Sequence, residues 1–427
     1  MFNAADYLPR VLDGLKRSTF RDFELLVVDD GSTDGSRELA ASLGVPTLWS
    51  GGRRGAGPAR NVGVQAAKAS ILVFLDADVV MHEDALTRIA AAFEADPGLA
   101  AVMGSYDDTP AAPGLVSRFR NLIHAHFHRH AASEASTFWT GLGAVRQPVF
   151  EAVGGFTPGE ILEDVEFGVR LKAAGHRIRL DPAIQGTHLK DWSLVSMVQT
   201  DLFKRGIPWI EMALQHDGLR DDLNTTLGQR VSVAAIGALL LAVTGGVLTQ
   251  GLALAAPMAG LAVTLSLPLF SPGDRKAMRP AVLVGSLISA GAAALVLLAA
   301  GHMPAAIAVG LAGLLTAAIP LRFEARPQGA EWAVVAAVLL ALVLSLAATP
   351  VSPLMALGAG AWAAQLWLNR GLLGLLGRRL GPLGLLGGVP LLLIYHLCCG
   401  LSVIIGTVKH VAKRRRRSIE PAPAHGA

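Results

Sequence analysis

Apolar residues in the first 225 positions follow two rhythms. Residues 4–16, 58–69 and 84–94 carry them at helical spacing, and 36–43 is read as a further short helix. Between these lie short unbroken apolar runs at 23–29 (FELLVVD), 71–75 (ILVFL) and 100–104, the pattern of strands buried on both faces. Strands alternating with helices predict an α/β domain, Rossmann-like, with a mostly parallel sheet covered on both faces. Ligands of such sheets bind beyond the carboxyl ends of the strands. Two of the runs end there in acids, Asp29-Asp30 and Asp76-Ala77-Asp78.

From Val231 the rhythm disappears. Apolar runs cover about 231–250, 252–270, 281–300, 303–320, 331–349, 351–368 and 383–408, each near the ~20 residues that cross a bilayer as a helix. The gaps near 251, 301 and 350 hold no Lys or Arg, whereas the intervening gaps hold Arg275, Lys276 and Arg279, then Arg322 and Arg326, then Arg370, Arg378 and Arg379. The positive-inside rule makes those basic gaps cytoplasmic and the first 225 residues with them. Met1–Arg10 has neither the basic nor the apolar region of a secretory signal. The expectation is a multi-pass protein of the inner (plasma) membrane: a cytoplasmic domain over 1–225, an all-α transmembrane region of six or seven segments over 226–412, and a basic, disordered tail over 413–427. The last run breaks the alternation, having basic residues before it and Lys413–Arg417 after it. A re-entrant hairpin or an interfacial helix at 366–381 resolves this.

Composition sharpens the division. Of 427 residues 52% are hydrophobic and 16% charged, against about 25% charged in soluble domains. Residues 1–230 hold 23 Lys+Arg and 29 Asp+Glu, the remainder 14 and 4, so the net +4 is the sum of −6 and +10. An acidic first half argues against nucleic acid as its partner, because phosphate backbones need a basic surface. Cys398 and Cys399 are adjacent in an apolar run. They are read as packed thiols, and they supply neither a disulfide framework nor a zinc finger.

Three acidic motifs carry candidate chemistry. In Val27–Asp34 (VVDDGSTD) the carboxylates can accept from a nucleobase edge or ribose hydroxyls, or start a turn. In Asp76-Ala77-Asp78, two carboxylates at Asp-x-Asp spacing on a loop can face one ligand. Hard oxygen donors suit Mg²⁺ or Mn²⁺ and, through it, a diphosphate. In 159–171 (GEILEDVEFGVRL) Glu163-Asp164 falls at a helix start, where acids offset the dipole and where a carboxylate facing an acceptor hydroxyl is a general base.

Taken together, VVDDGSTDGS, GPARNVGVQAA, FLDAD, FWTGLGAVRQPVFEAVGGF and LEDVEFGVRL, in this order, resemble the family 2 glycosyltransferases of GT-A fold over about residues 1–225. The stretch THLKDWSLVSMVQTDLFKRGIPW is similar to the subgroup whose catalytic domain precedes membrane spans. The resemblance implies inverting transfer of a sugar from a nucleotide-diphosphate-sugar to a lipid or polyprenyl-linked acceptor, with a divalent metal (Mn or Mg). It implies Asp30 at the base, Arg60 at the nucleotide, Asp76 at ribose or sugar, Asp78 and His188 at the metal, and Asp164 as the catalytic base. Arg205 and Trp209 match residues lining the diphosphate and acceptor mouth. Trp139, Thr140, Gly141 and Glu163 fall in the acceptor or sugar pocket.

Two departures qualify the match. Such domains open with an apolar strand ending in Pro-x-Tyr-Asn or similar, whereas this chain begins Met1-Phe2-Asn3; the expectation is a start upstream of Met1. The Gln-x-x-Arg-Trp motif of processive synthases is not matched by the spacing of Gln199, Arg205 and Trp209, so single-sugar transfer is favoured over a processive polysaccharide synthase. The rival of another class is a non-catalytic membrane scaffold. His124, His126, His128 and His130 alternate; on a strand they would share a metal-binding face, on a helix they spread around it. Gly51–Pro58 is glycine-rich and can cradle phosphate at a helix N-terminus, but lacks the Lys-Ser/Thr of a P-loop.

Overall fold

The structure, a computed structural model, describes residues 1–216, 225–250 and 353–419. The expected spans within 252–349 and the tail after 419 lie outside the described residues. In chain order the elements are α1 (Leu8–Lys16), β1 (Val27–Asp29), α2 (Ser36–Ser42), β2 (Thr47–Trp49), α3 (Ala56–Ala66), β3 (Ile71–Leu75), β4 (Val79–Met81), α4 (Ala85–Ala95), β5 (Leu99–Tyr106), α5 (Leu115–His130), β6 (Leu142–Arg146), α6 (Gln147–Ala152), α7 (Glu163–Ala173), β7 (Arg177–His188) and α8 (Leu194–Gln199). A π-helix (Thr200–Gly206), α9 (Ile207–Gln215), α10 (Leu227–Gln250), α11 (Pro353–Leu368) and α12 (Arg370–Ile419) complete the set.

The sheet corrects the expectation of a mostly parallel one. Five strands run in the order β3-β6-β5-β7-β4, and only β5 and β7 are parallel neighbours; β6 is antiparallel to both β3 and β5, and β4 to β7. The strands legible as apolar runs, β3 and β5, do point the same way, but β6 inserts between them in the opposite sense. β1 and β2 form a separate parallel pair. Beside it the Met1 amine donates to the Val28 carbonyl at 2.7 Å, and the Met1 carbonyl accepts from the Asp30 amide at 2.8 Å.

Both faces of the sheet are covered. On one, Leu8, Leu12 and Leu15 of α1 and Leu86, Ile89 and Phe93 of α4 pack on Leu99, Val102 and Leu142. On the other, Phe74, Phe138, Phe150, Phe156 and Phe167 form a cluster of rings 5.0–6.3 Å apart, under α6 and α7. β5 is buried at every position, which is what a central strand between two helical layers requires.

One irregularity places a site residue. β7 bulges between Leu180 and Gln185 against the single position between Met103 and Ser105. Gly104 makes room for it, since a Cβ there would lie 2.3 Å from the Ile184 carbonyl oxygen. Beyond the bulge β7 continues along β4, with His188 opposite Val79.

The C-terminal helices dock on this domain. α12 is interrupted at Gly381 (φ 73°, ψ −178°), followed by Pro382, which cannot continue the hydrogen-bond ladder. Its first limb turns Leu372, Leu375 and Leu376 onto Phe119, Leu122 and Ile123 of α5 and leaves Arg378 and Arg379 exposed. Arg379 also pairs with Asp108 at 2.7 Å. Further on, Ser402 and Gly406 lie against the π-helix and α9. α12 is the one helix among the described residues long and apolar enough to cross a membrane. Large apolar side chains stand exposed on α10 (Leu240, Leu241), α11 (Leu357, Trp367) and α12 (Ile404, Val408).

Candidate active site

The carboxyl ends of β3, β5 and β7 meet at one edge, together with the N-terminal end of antiparallel β6. Asp76 and Asp78 sit in the turn from β3 to β4, His188 ends β7, and Thr140 and Gly141 lead into β6. Glu163 and Asp164 form the first turn of α7, where the unpaired amides and the helix dipole favour acids. Two glycines let the surrounding helices close in. A Cβ on Gly57 would press on the Glu163 side chain at 3.1–3.2 Å, and one on Gly168 would lie 2.1 Å from the Phe138 nitrogen.

Arg60, from α3, is the hub. Its Nη2 donates to Asp76 Oδ1 at 2.8 Å and its Nη1 to Glu163 Oε1 at 2.5 Å, so one guanidinium ties the β3 edge to the start of α7. Burial raises the Asp76 and Glu163 carboxyls above their ordinary range, and Arg60 pulls the other way at both. Asp164 accepts from the Thr140 amide and hydroxyl, each at 3.2 Å, and through its other oxygen from the Val165 amide at 2.8 Å.

Asp78 Oδ2 lies 3.5 Å from His188 Nε2. A carboxylate oxygen suits Mn²⁺ or Mg²⁺, the imidazole nitrogen favours the transition metal Mn²⁺ over Mg²⁺, and such ions keep several positions for phosphate and water. The residues present therefore fit a cation held by two side chains and completed by a ligand; among the described residues no group of three potential metal ligands occurs. Tyr106 stacks on the His188 ring at 4.4 Å and 9°.

Arg205, on the π-helix, is pushed down by burial and then by Arg120. Arg120 itself is paired with Asp201 at 2.5 Å, both nearly buried. Among the described residues no carboxylate lies within salt-bridge distance of Arg205, which leaves it as a surplus cation at this edge. Trp209 is half-buried on α9. Trp139 stands edge-on to Tyr106 and packs on His124 and His128. Gly141 is required beside it, because a Cβ would lie 2.2 Å from the indole.

Asp30 is turned inward. Its Oδ1 accepts from Ser50 Oγ at 2.8 Å and the Arg54 amide at 2.9 Å, and its Oδ2 from the Gly55 amide at 2.9 Å. The glycine-rich loop before α3 thus directs these two amides at an internal carboxylate. The histidine run lies on α5, a helix, and so divides into tilted ring pairs His124/His128 and His126/His130 with centroids 4.0 and 4.3 Å apart. Asn121, Tyr106 and the Arg120–Asp201 pair were not singled out from the sequence. None of them has a spacing that marks it.

Residues 1–153 match the family model described as Glycosyl transferase family 2, and with the relatives below this supports a family 2 glycosyltransferase domain in the N-terminal part of the chain. The chain is 27% identical over 198 residues to glycosyltransferase AglE of Haloferax volcanii, covering 44% of this chain and 64% of AglE. It is 26% identical over 227 residues to the O-antigen chain rhamnosyltransferase RfbN of Salmonella typhimurium, covering 49% of this chain and 72% of RfbN. The chain thus spans just under two thirds of AglE. Among solved structures, the mannosyltransferase PcManGT from Pyrobaculum calidifontis in complex with GDP-Man and Mn²⁺ aligns with a TM-score of 0.37 at 19% identity, over 86% of this chain and 85% of that one.

Proposed function

We propose that the chain is an inverting glycosyltransferase that moves a sugar from a nucleotide-diphosphate-sugar to an acceptor held at a membrane, a lipid or polyprenyl-linked one. The observation that carries this reading is the convergence at one sheet edge of Asp164, the Asp78–His188 pair and the surplus cation Arg205, with Arg60 binding Asp76 to Glu163 between them.

In this reading Asp164 takes the proton of the acceptor hydroxyl as that oxygen bonds to the sugar's anomeric carbon. The bond to the diphosphate oxygen breaks on the opposite face, and one displacement inverts the configuration. Thr140 and the Val165 amide fix the Asp164 carboxylate for that transfer, a role typically worth about 10²–10⁴-fold in rate. Arg205 offsets the charge that grows on the departing nucleoside diphosphate. Asp78 and His188 would hold a divalent cation, whose chemistry is to neutralise the same diphosphate. Asp76, with Arg60 behind it, faces the ribose or sugar; Asp30 acts at the nucleotide end, at the base or through the loop it organises; and Trp139, Thr140, Gly141, Glu163 and Trp209 shape the sugar and acceptor pocket. The exposed apolar faces of α10, α11 and α12 supply the membrane contact.

The test uses membranes carrying the full chain, a panel of radiolabelled nucleotide-sugars, and Mn²⁺, Mg²⁺ or EDTA. Label in one extracted lipid, dependent on the cation, is expected. Label in a long water-soluble polymer would instead indicate a processive synthase, and donor binding without turnover a scaffold.

A further inference from the structure

His188 is held by a residue from a different layer of the protein. Its Nδ1 lies 2.9 Å from Asn121 Oδ1, and the Asn121 Nδ2 donates to the His188 carbonyl at 3.4 Å. Asn121 is 2% exposed. The two contacts are mutually informative. Only the amide nitrogen of Asn121 can donate to a carbonyl, so the oxygen is the atom that meets the imidazole, and it can only accept. Nδ1 must therefore carry the ring proton.

In the neutral ring this leaves Nε2 with its lone pair directed at Asp78, 3.5 Å away. Two electron-rich atoms at that separation are satisfied by a shared positive charge. Tyr106, stacked flat on the ring, prevents the imidazole from rotating out of this alignment.

We propose that Asn121 is a positioning residue for cation binding: it fixes the His188 tautomer so that Nε2 and Asp78 form the two-ligand half of a divalent-cation site. The proposal rests on the reading of Asp78 and His188 as cation ligands. Residues that orient a metal-bound histidine through its second nitrogen typically contribute 10–100-fold in metal affinity.

The experiment measures Mn²⁺ binding to the purified full chain by electron paramagnetic resonance of the free ion, without nucleotide and with UDP or GDP. Asn121→Leu removes the acceptor at similar volume; Asn121→Asp keeps it; Asn121→Ala is a second removal should the leucine variant fail to fold. Expected is a weakening of Mn²⁺ binding by about 10–100-fold in Asn121→Leu or Asn121→Ala, with Asn121→Asp within about threefold of the parent, each variant being measured well below its own melting temperature, which falls in the two removals because the buried His188 Nδ1–H loses its acceptor. His188→Ala serves as the reference. If His188→Ala weakens Mn²⁺ binding and neither Asn121→Leu nor Asn121→Ala does, the positioning role is overturned while the cation reading stands. If His188→Ala leaves Mn²⁺ binding intact, the cation reading fails and the proposal with it. A protonated imidazolium facing Asp78 belongs to that second outcome.

Discussion

At the scale of single residues, the site edge is defined by how few charges serve how many partners. Arg60 alone links Asp76 and Glu163. A planar guanidinium can donate to two carboxylates at once in a fixed fork, and an ammonium on a flexible stem holds that geometry poorly. Arg60→Lys is therefore expected to lower donor kcat/KM by about 10–100-fold. Arg60→Ala, which leaves two part-buried acids without a cation, is expected to cost about 2–3 kcal/mol in thermal unfolding. A second pair gives a pH signature. His82 is raised by its hydrogen bond to Asp107, while Asp107 is held low because the contacts with His82 and Thr187 outweigh its burial. The raised histidine stabilises fully below its unfolded value near 6.5 and less as pH rises through its folded value; the lowered aspartate stabilises above about 3.9 and less as pH falls. The pair is thus most effective between roughly pH 4 and 6.5. Because His82 is half-exposed, His82→Gln should lower the melting temperature by only about 1–3 °C at pH 6, and by less at pH 9. An equal loss at both pH values would show that the charge of His82 plays no part.

At the scale of elements, what was legible in the sequence follows from burial. The run 71–75 is β3, and the helices at 58–69 and 84–94 are present as α3 and α4 with ends shifted by one to three residues. These elements announce themselves because their apolar residues repeat with a local period. β1 shrinks to Val27–Asp29. β6 carried no such sign, because LGAVR is short and glycine-bearing; in β7 the alternation of Arg177–Leu180 is a strand sign, but it is short and broken by Asp181-Pro182. Missing β6 is what turned a mixed sheet into an expected parallel one. The acids of the site were legible because they follow strands or open a helix. Asn121 was not, because its role depends on α5 crossing behind β7, a contact between residues 67 positions apart. Helix placement also yields a prediction. Gly168 lets α7, which carries Asp164, lie against Phe138, so Gly168→Ala should cost about 1–3 kcal/mol and depress transfer more than it depresses donor binding. Unchanged stability would contradict the close packing.

At the scale of the whole molecule, one helix of the N-terminal domain contacts both the site edge and the C-terminal helices. α5 directs Asn121 inward to His188 and Phe119, Leu122 and Ile123 outward to α12. Between α10, α11 and α12, His396 lies between Gln365 and Gln229 at 2.9 Å on each side, and Asn369 donates to Ser232 at 3.1 Å. Such buried polar contacts among apolar helices specify which helices pair and in what register. His396→Leu leaves the Gln365 Nε2 donor and the Gln229 Oε1 acceptor without their partner and is expected to destabilise the helical part by about 1–3 kcal/mol, read by detergent-dependent unfolding. The central claim is that this edge transfers a sugar with Asp164 as the proton acceptor. Its most direct test is single-turnover transfer from the active labelled donor by this chain in membranes, comparing the parent with Asp164→Asn, with donor affinity measured separately. The account predicts a rate loss of at least about 100-fold with donor affinity within about threefold. Transfer at the parental rate by Asp164→Asn would contradict it.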